Sequence, residues 1–336
     1  MKKNVLFALA QCHYQKMFHP ADLERIQRLC HVLPIPVPAA ANRDFLLRHI
    51  GQANIVVTSW GTAALDSDVI AEAAQLELLT HAGGTVKPVV SEALWARDIR
   101  VTSAAAALAF GVSEFCLGLI LTATKRAFWG GLATRDGKWS ESITAFHGPQ
   151  EIYQQNIGVI GASHVGKRLI GLLQNFDCNV FLYDPYCSHQ QARALGAQKL
   201  EMLEELFAKC MIVSLNAPST NQTRHMIRGE HFRLLQPGAL FINTARGAIV
   251  AEAEMVEELK TGRFVACLDV TGAAEPPPAG DPLRHLPNVW LTPHEAGAVA
   301  QNLQRIGTFV ANEIEAFVAD RPLHYEVKEQ QLAIVG

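Results

Sequence analysis

Three residues that follow predicted strands have the side chains needed to move a proton and bind a carboxylate. They are Arg246 in FINTARGAIV, Glu275 in CLDVTGAAEP and His294 in WLTPHEAG. A histidine can donate a proton to an oxygen on which negative charge develops, and a carboxylate bonded to it stabilises its protonated form and fixes its orientation. An arginine holds a carboxylate with two parallel N–H groups and polarises a neighbouring carbonyl. Taken singly, each residue is more often an ordinary surface or core side chain.

A glycine-rich segment upstream makes a functional role for these three residues more favourable than an ordinary one. In IGVIGASHVGKRLIG, Gly161, Ser163 and Gly166 occupy the G-x-G-x-x-G frame, with serine in the place of the second glycine. The first glycine permits a tight turn and the third lets the helix pack closely on the strand. We expect the Ser163 hydroxyl to donate to a phosphate oxygen at the helix N-terminus, where N–H groups favour an anion. An ordinary strand-to-helix turn is the alternative.

The position of Asp184 indicates that the glycine-rich segment binds a nucleotide rather than forming an ordinary strand-to-helix turn. It ends the next predicted strand, NVFLYD, close to the spacing of about 20 residues at which an acidic residue accepts bonds from the adenine ribose. The same charge repels a 2′-phosphate, so the sequence predicts NAD rather than NADP. With a nicotinamide present, His294 is the proton donor for a carbonyl that receives a hydride, Glu275 is its partner, and Arg246 binds the substrate carboxylate.

The elements that position these residues are strands alternating with helices. Apolar runs near residues 4–10, 55–59, 76–84 and 99–103 predict one parallel sheet, and the pattern restarts at Asn156 with strands that end in residues with chemistry. The fold class is therefore α/β, with two doubly wound parallel sheets of the Rossmann or flavodoxin-like type. Ligands bind beyond the carboxyl ends of such strands. These strand-end residues should therefore gather at one edge; they are Asp184, Asn216, Arg246, Asp269 and His294.

Two segments depart from the alternation. Residues 104–123 form the most hydrophobic stretch, but Glu114 and two glycines interrupt it, so we predict a long buried helix rather than a membrane span. Residues 127–150 lose their periodicity, which predicts a connecting excursion outside the core. After His294, an apolar stripe predicts a helix that returns to the first domain.

Composition excludes several classes of partner. The net charge of −3, with 18% charged residues, offers no basic surface for nucleic acid or an anionic membrane. Seven scattered cysteines argue against a complete disulfide framework and favour a reducing cytoplasm. No metal site is predicted, and a small molecule is the expected partner.

At this point the sequence resembles the NAD-dependent D-isomer-specific 2-hydroxyacid dehydrogenase family over nearly its whole length. The resemblance is carried by GASHVG, the strand ending in Asp184, NTARG, LDV, the EP pair and TPH. It implies a substrate-binding domain at 1–120 plus 305–336, an NAD-binding domain at 121–304, and an active-site cleft between them. It also implies a homodimer, with 127–150 as the dimer contact.

The resemblance also implies which residues contact each ligand. The glycine turn of HAGGTVKP presents backbone N–H groups to the substrate carboxylate, with Trp60 beside it, so the predicted substrate residues are Trp60, Ala82, Gly83, Gly84 and Arg246. The predicted cofactor residues are Gly161, Ser163, His164, Val165, Gly166, Asp184, Asn216, Pro218, Thr223, Thr244 and Asp269.

Three departures from the family pattern bear on the substrate and on the histidine partner. The segment between Asp269 and Glu275 is one residue longer than usual, Asn216 replaces a usual histidine, and Leu108 replaces a frequent asparagine. No cluster of lysine and arginine accompanies the glycine turn beyond Lys87, so a phosphorylated substrate is not indicated.

The leading hypothesis is hydride transfer between NAD(H) and C2 of a small D-2-hydroxy acid or 2-keto acid. An NAD(H)-sensing binding protein of the same fold is one alternative, because a fold does not fix a function. A dehydrogenase for another small anion, such as formate or phosphite, is the other.

Overall fold

Two parallel sheets organise the chain. The computed structural model describes residues 2–140 and 145–333. It divides into unit 1, residues 1–108 and 298–336, and unit 2, residues 109–297. The predicted fold class is confirmed by these sheets. The predicted domain limits differ from the limits of these two units. The predicted boundary between residues 120 and 121 lies inside one continuous helix, Ala105–Thr124, and unit 1 resumes at residue 298 rather than at the predicted residue 305.

Unit 1 contains the first sheet, in the order β13-β5-β4-β3-β1-β2, which is parallel except for β13. Alternate residues of its central strands face opposite ways, so Val56 joins one apolar cluster and Val57 the other. Helices therefore cover both faces, as parallel sheets require. The strands are β1 (Asn4–Ala8), β2 (His31–Val32), β3 (Ile55–Ser59), β4 (Leu78–Ala82), β5 (Arg100–Ser103) and β13 (Glu326–Val327).

Most helices of unit 1 are short, and the exception is the long helix near its C-terminal end. This helix, Ala300–Val318, packs against the first two helices and β4, and its apolar stripe is buried. The helices are α1 (Gln11–Met17), α2 (Pro20–Leu29), α3 (Arg43–His49), α4 (Ser67–Glu72), α5 (Glu92–Trp95) and α13 (Ala300–Val318).

Unit 2 contains seven parallel strands in the order β12-β11-β10-β9-β6-β7-β8. The direction of winding reverses between β6 and β9, and ligands of such sheets bind at this switch point. The strands are β6 (Asn156–Ile160), β7 (Asn179–Tyr183), β8 (Gln198–Leu200), β9 (Ile212–Leu215), β10 (Ala239–Asn243), β11 (Phe264–Leu268) and β12 (Val289–Leu291). The helices are α6 (Ala105–Thr124, which begins in unit 1), α7 (Ala127–Arg135), α8 (His164–Leu173), α9 (His189–Leu195), α10 (Leu203–Lys209), α11 (Gly229–Leu234) and α12 (Glu252–Leu259).

The predicted long helix at 104–123 is α6, and part of its surface is buried. Among the described residues it is the one helix whose length and apolar composition would suit a membrane span, with 44% of its most apolar window buried. Core helices of soluble proteins meet the same criterion. The helix therefore gives only weak evidence for a membrane.

The prediction that 127–150 lies outside the core is wrong for its first part. Residues Ala127–Arg135 form α7, and Trp129 is buried with its indole N–H donating to the Pro287 carbonyl at 2.7 Å. Phe128 stacks on Trp290 with ring centroids 4.4 Å apart. Phe128 and Trp129 are adjacent and are followed by two glycines and several polar residues, so the segment shows no repeated apolar spacing. Residues 141–144 of the predicted excursion lie outside the described residues.

Candidate active site

The nucleotide loop, residues 161–166, connects β6 to α8 at the switch point, and backbone packing sets its shape. Gly161 has a φ of +97°, and a Cβ there would lie 2.6 Å from Ala217 Cα. A Cβ at Gly166 would lie 2.0 Å from the Gly161 carbonyl oxygen. Both positions therefore require glycine, for the reasons that the sequence motif implies.

Ser163 makes two hydrogen bonds within the protein. Its Oγ accepts from the Gly166 N–H at 3.3 Å and caps α8, and its hydroxyl donates to the Asn216 carbonyl at 2.7 Å. The structure thus directs the hydroxyl proton to the residue after β9, and the predicted contact of Ser163 with a phosphate stays a prediction. The bond to the Asn216 carbonyl ties the two strands that flank the switch point. His164 and Val165 begin α8, and burial, followed by the charge of Lys167, lowers the pKa of His164.

Asp184 lies beside the loop, as predicted. One carboxylate oxygen accepts from the Ala162 N–H at 2.6 Å and the other from the Tyr186 N–H at 2.8 Å. The carboxylate is half-buried, so acceptor capacity remains for a ribose hydroxyl. The glycine turn, the N-terminus of α8 and this carboxylate together suit a dinucleotide with an unphosphorylated ribose.

The next four predicted cofactor residues follow β9 and β10, where they make polar contacts with nearby groups. The Asn216 amide donates to the Ser214 carbonyl and hydroxyl at 3.0 and 3.1 Å, and the Thr223 hydroxyl donates to the Pro218 carbonyl at 2.7 Å. Thr244 is buried against the thiol of Cys116 on α6, 3.0 Å away.

Cys116 is a residue that the sequence analysis missed. Burial raises the pKa of its thiol to about 11, so the thiol stays protonated and can hydrogen-bond to Thr244. The sequence around Cys116 is apolar throughout, so it did not indicate that the side of α6 that carries Cys116 contacts the ends of β9 and β10.

His294 and Glu275 form the hydrogen-bonded pair that the sequence predicts, despite the additional residue before Glu275. His294 Nδ1 lies 2.6 Å from Glu275 Oε2, and both side chains are partly exposed. Because an ionised carboxylate only accepts, Nδ1 carries the hydrogen in this contact. The other ring nitrogen, Nε2, then remains available to exchange a proton.

Asp269 holds the loop that carries this histidine. Asp269 is buried at the end of β11, and its carboxylate accepts from the Thr292 hydroxyl at 2.6 Å and from the N–H groups of Glu295 and Ala296 at 3.1 and 3.0 Å. These bonds bracket His294, which has a φ of +54°. The structure thus directs the Asp269 carboxylate to the loop, and its predicted contact with the cofactor stays a prediction.

Arg246 lies at the same edge, directly after the end of β10. Asn243 holds its turn, accepting from the Ala245 N–H at 3.0 Å and donating to the Arg246 carbonyl at 3.2 Å. Desolvation lowers the pKa of Arg246, and the charge of Glu275 opposes that shift. The guanidinium remains charged at any physiological pH. Its Nη1 donates to the Ala245 carbonyl at 2.6 Å, and because the residue is exposed its other N–H groups can reach an anion.

Unit 1 brings its own predicted substrate residues together at the glycine turn, residues 82–84, after β4. A Cβ at Gly83 would lie 2.5 Å from His81 Nε2 and 3.3 Å from the Trp60 indole nitrogen. A Cβ at Gly84 would lie 3.3 Å from Leu108 Cδ1. Gly83 therefore has no space for a side chain unless the His81 ring moves, whereas a Cβ at Gly84 would press only on the end of the Leu108 side chain.

His81 is a second residue that the sequence analysis missed. It is buried in β4, its Nδ1 lies 2.9 Å from Thr58 Oγ1, and burial lowers its pKa to about 4. In the described parts of the chain, no group of three or more His, Cys, Asp or Glu side chains is arranged to hold a metal ion.

Comparison with known proteins identifies the family of the chain. Residues 117–296 match the sequence model of the D-isomer specific 2-hydroxyacid dehydrogenase NAD binding domain. The chain is 32% identical to a glyoxylate reductase of Thermofilum pendens, over 82% of this chain and 81% of that protein. It is 31% identical to a D-3-phosphoglycerate dehydrogenase of Methanocaldococcus jannaschii, over 88% of this chain but only 56% of that protein.

The fold is also shared with a solved structure. The D-mandelate dehydrogenase of Rhodotorula graminis superposes with a TM-score of 0.82 at 22% identity, and 98% of each chain is covered. The chain spans about half the length of the D-3-phosphoglycerate dehydrogenases of Methanocaldococcus jannaschii and Mycobacterium bovis. The resemblance read from the sequence is confirmed: the chain belongs to the D-isomer specific 2-hydroxyacid dehydrogenase family, and its match to the NAD-binding domain of that family covers residues 117–296.

Proposed function

We propose that the protein is an oxidoreductase that transfers a hydride between NAD(H) and C2 of a small D-2-hydroxy acid or 2-keto acid. The observation that carries the proposal is the 2.6 Å contact between His294 Nδ1 and Glu275 Oε2, in a chain whose NAD-binding domain is established by its family. A binding protein that only senses NAD(H) would have no use for a proton donor with a fixed ring.

Bound NAD(H) supplies or accepts the hydride at its nicotinamide ring. In reduction, His294 Nε2 donates a proton to the carbonyl oxygen as negative charge develops there. Before this transfer both ring nitrogens are protonated and Glu275 stabilises the charged ring; after it the ring is neutral, and in oxidation His294 accepts the proton back. Which ring nitrogen faces the substrate follows from the bond that the other nitrogen makes.

Arg246 is the proposed anchor of the substrate carboxylate. Its planar guanidinium can bind two carboxylate oxygens and polarise the adjacent carbonyl. The charge of Glu275 acts on Arg246, and the Glu275 carboxylate contacts His294, so the proposed anchor and the proton-transfer pair are neighbours. The N–H groups of Gly83 and Gly84 are the second proposed donors to the substrate carboxylate.

The test is consumption of NADH with a panel of 2-keto acids, phosphorylated and unphosphorylated, and reduction of NAD+ with formate and phosphite. We expect one or more keto acids to be reduced. His294→Ala should lower kcat by about 10²- to 10⁴-fold, the usual contribution of a general acid. The matched control is His31→Ala, since His31 is exposed in the short edge strand β2 and pairs with Asn4 at the beginning of β1, the opposite end from the carboxyl edge of the sheet.

Three results would contradict the proposal. One is reduction of NAD+ by formate or phosphite with no activity on keto acids. Another is activity that His294→Ala leaves unchanged. The third is tight NADH binding without turnover, combined with a cofactor-dependent oligomeric state, which would identify a sensor.

The finer expectations about assembly and location belong to the same proposal. A homodimer formed through the segment that begins at Ala127 is supported by Leu132 and Trp139, large apolar residues that are 41% and 69% exposed. A cytoplasmic location is supported by seven cysteines in the thiol form. Sedimentation equilibrium of the purified protein measures the assembly.

A further inference from the structure

The loop between Asp269 and Glu275, at residues 271–275, is where this chain is one residue longer than the family pattern. Residues 272–275 are exposed, yet the loop delivers Glu275 to His294. Within the loop, the Thr271 N–H donates to Glu275 Oε1 at 3.1 Å, and the Thr271 hydroxyl donates to the Ala274 carbonyl at 2.5 Å. The two oxygens of Glu275 are thus divided between the loop backbone and the histidine.

A carboxylate from outside the loop holds its exposed side. Glu252, the first residue of α12, is half-buried and reaches across to two successive backbone amides. Its Oε2 accepts from the Gly272 N–H at 2.5 Å and its Oε1 from the Ala273 N–H at 3.2 Å. A Cβ at Gly272 would lie 3.3 Å from Glu252 Oε2, so the loop backbone lies directly on this side chain.

The other side of the loop is fixed by the residue that follows Arg246. A Cβ at Gly247 would lie 2.1 Å from both the carbonyl carbon and the oxygen of Thr271, and 2.4 Å from the Gly272 nitrogen. Gly247 is buried and begins the 3-10 turn Gly247–Ile249. The loop therefore lies between the backbone at Gly247 and the carboxylate of Glu252, and the same contact sets the distance between the Arg246 segment and the Glu275 segment.

We propose that Glu252 is a positioning residue for the proton-transfer pair: its two charge-assisted bonds to the 271–275 loop keep Glu275 in contact with His294. This inference rests on the proposed function. An exposed loop with an additional residue has more conformations available to it, and only those that place Glu275 on His294 are active. Bonds from a carboxylate to backbone N–H groups are the strong class of hydrogen bond, and they select that conformation.

The variants are Glu252→Ala and Glu252→Gln, compared with Glu254→Ala. Glu254 is a matched control because it lies in the same helix and its carboxylate also accepts from a glycine N–H, that of Gly229 at 2.8 Å. The segment that contains Gly229 carries no predicted catalytic residue. Glu252→Ala should lower kcat for keto-acid reduction by about 10- to 100-fold and leave the Kd for NADH within about twofold. Glu252→Gln, which keeps one acceptor oxygen, should recover part of that loss, and Glu254→Ala should keep kcat within about twofold.

A cycle with Glu275→Ala separates positioning from a general structural effect. If Glu252 acts through Glu275, the double variant should have the kcat of Glu275→Ala alone, because the group to be positioned is gone. Losses that multiply would overturn the inference. So would a Glu252→Ala protein that retains the parent kcat.

Hydrogen exchange provides a readout that does not depend on turnover. The Gly272 and Ala273 amides should exchange faster in Glu252→Ala than in the parent, while the Gly229 amide should not change. If the parent reduces no keto acid, the proposed function fails and the exchange result still decides whether Glu252 holds the loop. Unchanged exchange at 272 and 273 would overturn the inference by itself.

Discussion

The nucleotide loop and the pair formed by His294 and Glu275 are positioned by different physical means. The loop is defined by backbone against backbone, with no space for a Cβ at Gly161 or Gly166. The pair is defined by a side-chain hydrogen bond between two partly exposed groups from separate segments. The glycine turn of unit 1 resembles the first case, since Gly83 packs on the buried ring of His81.

This difference predicts how each region responds to change. Packing that is close to crystal density transmits any added atom into the fold, so substitutions in the packed regions should reduce stability. An exposed hydrogen-bonded pair contributes little to stability, so substitutions there should reduce the rate and leave the fold intact. Three measurements test this contrast, and the acid sensitivity of unit 1 has the largest expected effect.

The buried His81 should make unit 1 sensitive to acid. Burial lowers its pKa to about 4 in the folded state from about 6.5 in the unfolded chain. Between those values the unfolded state binds a proton that the folded state does not, so the stabilisation is complete above about pH 6.5 and is lost as the pH falls toward 4. The loss amounts to about 3 kcal/mol at pH 4, at about 1.36 kcal/mol per pKa unit.

Urea unfolding at several pH values measures this loss, and His81→Gln is the reference because glutamine does not titrate. The parent and the variant should differ in the slope of unfolding free energy against pH between about 4 and 6.5. Equal slopes would mean that protonation of His81 does not lower the unfolding free energy. The glycine turn of unit 1 would then not be tightly packed in the way that the nucleotide loop is.

In the nucleotide loop, Gly166→Ala should destabilise the protein by about 1–3 kcal/mol, the usual cost of overpacking, because its Cβ would meet the Gly161 carbonyl oxygen at 2.0 Å. Gly171 is the matched control. It lies in the same helix, and a Cβ added there would have no atom within 4 Å, so Gly171→Ala should stabilise by about 0.5–1 kcal/mol. Thermal unfolding of both variants gives the two signs. If the Gly166→Ala protein were as stable as the parent, tight backbone packing would not be what positions the nucleotide loop, and the contrast with the pair of His294 and Glu275 would be wrong.

The same contrast explains what the sequence could predict. A packed loop leaves a local signature, and the segment containing Gly161 and Gly166 identified the strand, the turn and the helix together. The pair of His294 and Glu275 was also found, because strand ends of a parallel sheet meet at one edge and both residues follow such ends.

The supporting contacts were not predictable in this way. Glu252 and Cys116 act from the beginning of one helix and the middle of another, and no sequence spacing relates them to the residues they contact. Ser163 matched the motif frame, but its hydroxyl donates to Asn216, a long-range contact that a local pattern does not contain. Trp129 was assigned outside the core because its partner Pro287 is distant in sequence.

The smallest expected effect concerns Asp184, an accessible side chain within the packed region. Asp184→Asn removes the charge and keeps the shape, so the preference for NADH over NADPH, measured as the ratio of kcat/KM values, should fall by about tenfold. A unit charge at about 4 Å contributes about 1 kcal/mol in water and more near a protein surface. The unfolding free energy should fall by no more than about 1 kcal/mol, because the amide oxygen can still accept from the Ala162 N–H and only the bond from the N–H of the exposed Tyr186 is lost. Asp177→Asn, shortly before the same strand, should alter neither quantity. A large loss of stability in Asp184→Asn would show that this side chain is part of the packed nucleotide loop. Asp184 would then have to be grouped with Gly161 and Gly166 rather than with the exposed, hydrogen-bonded residues.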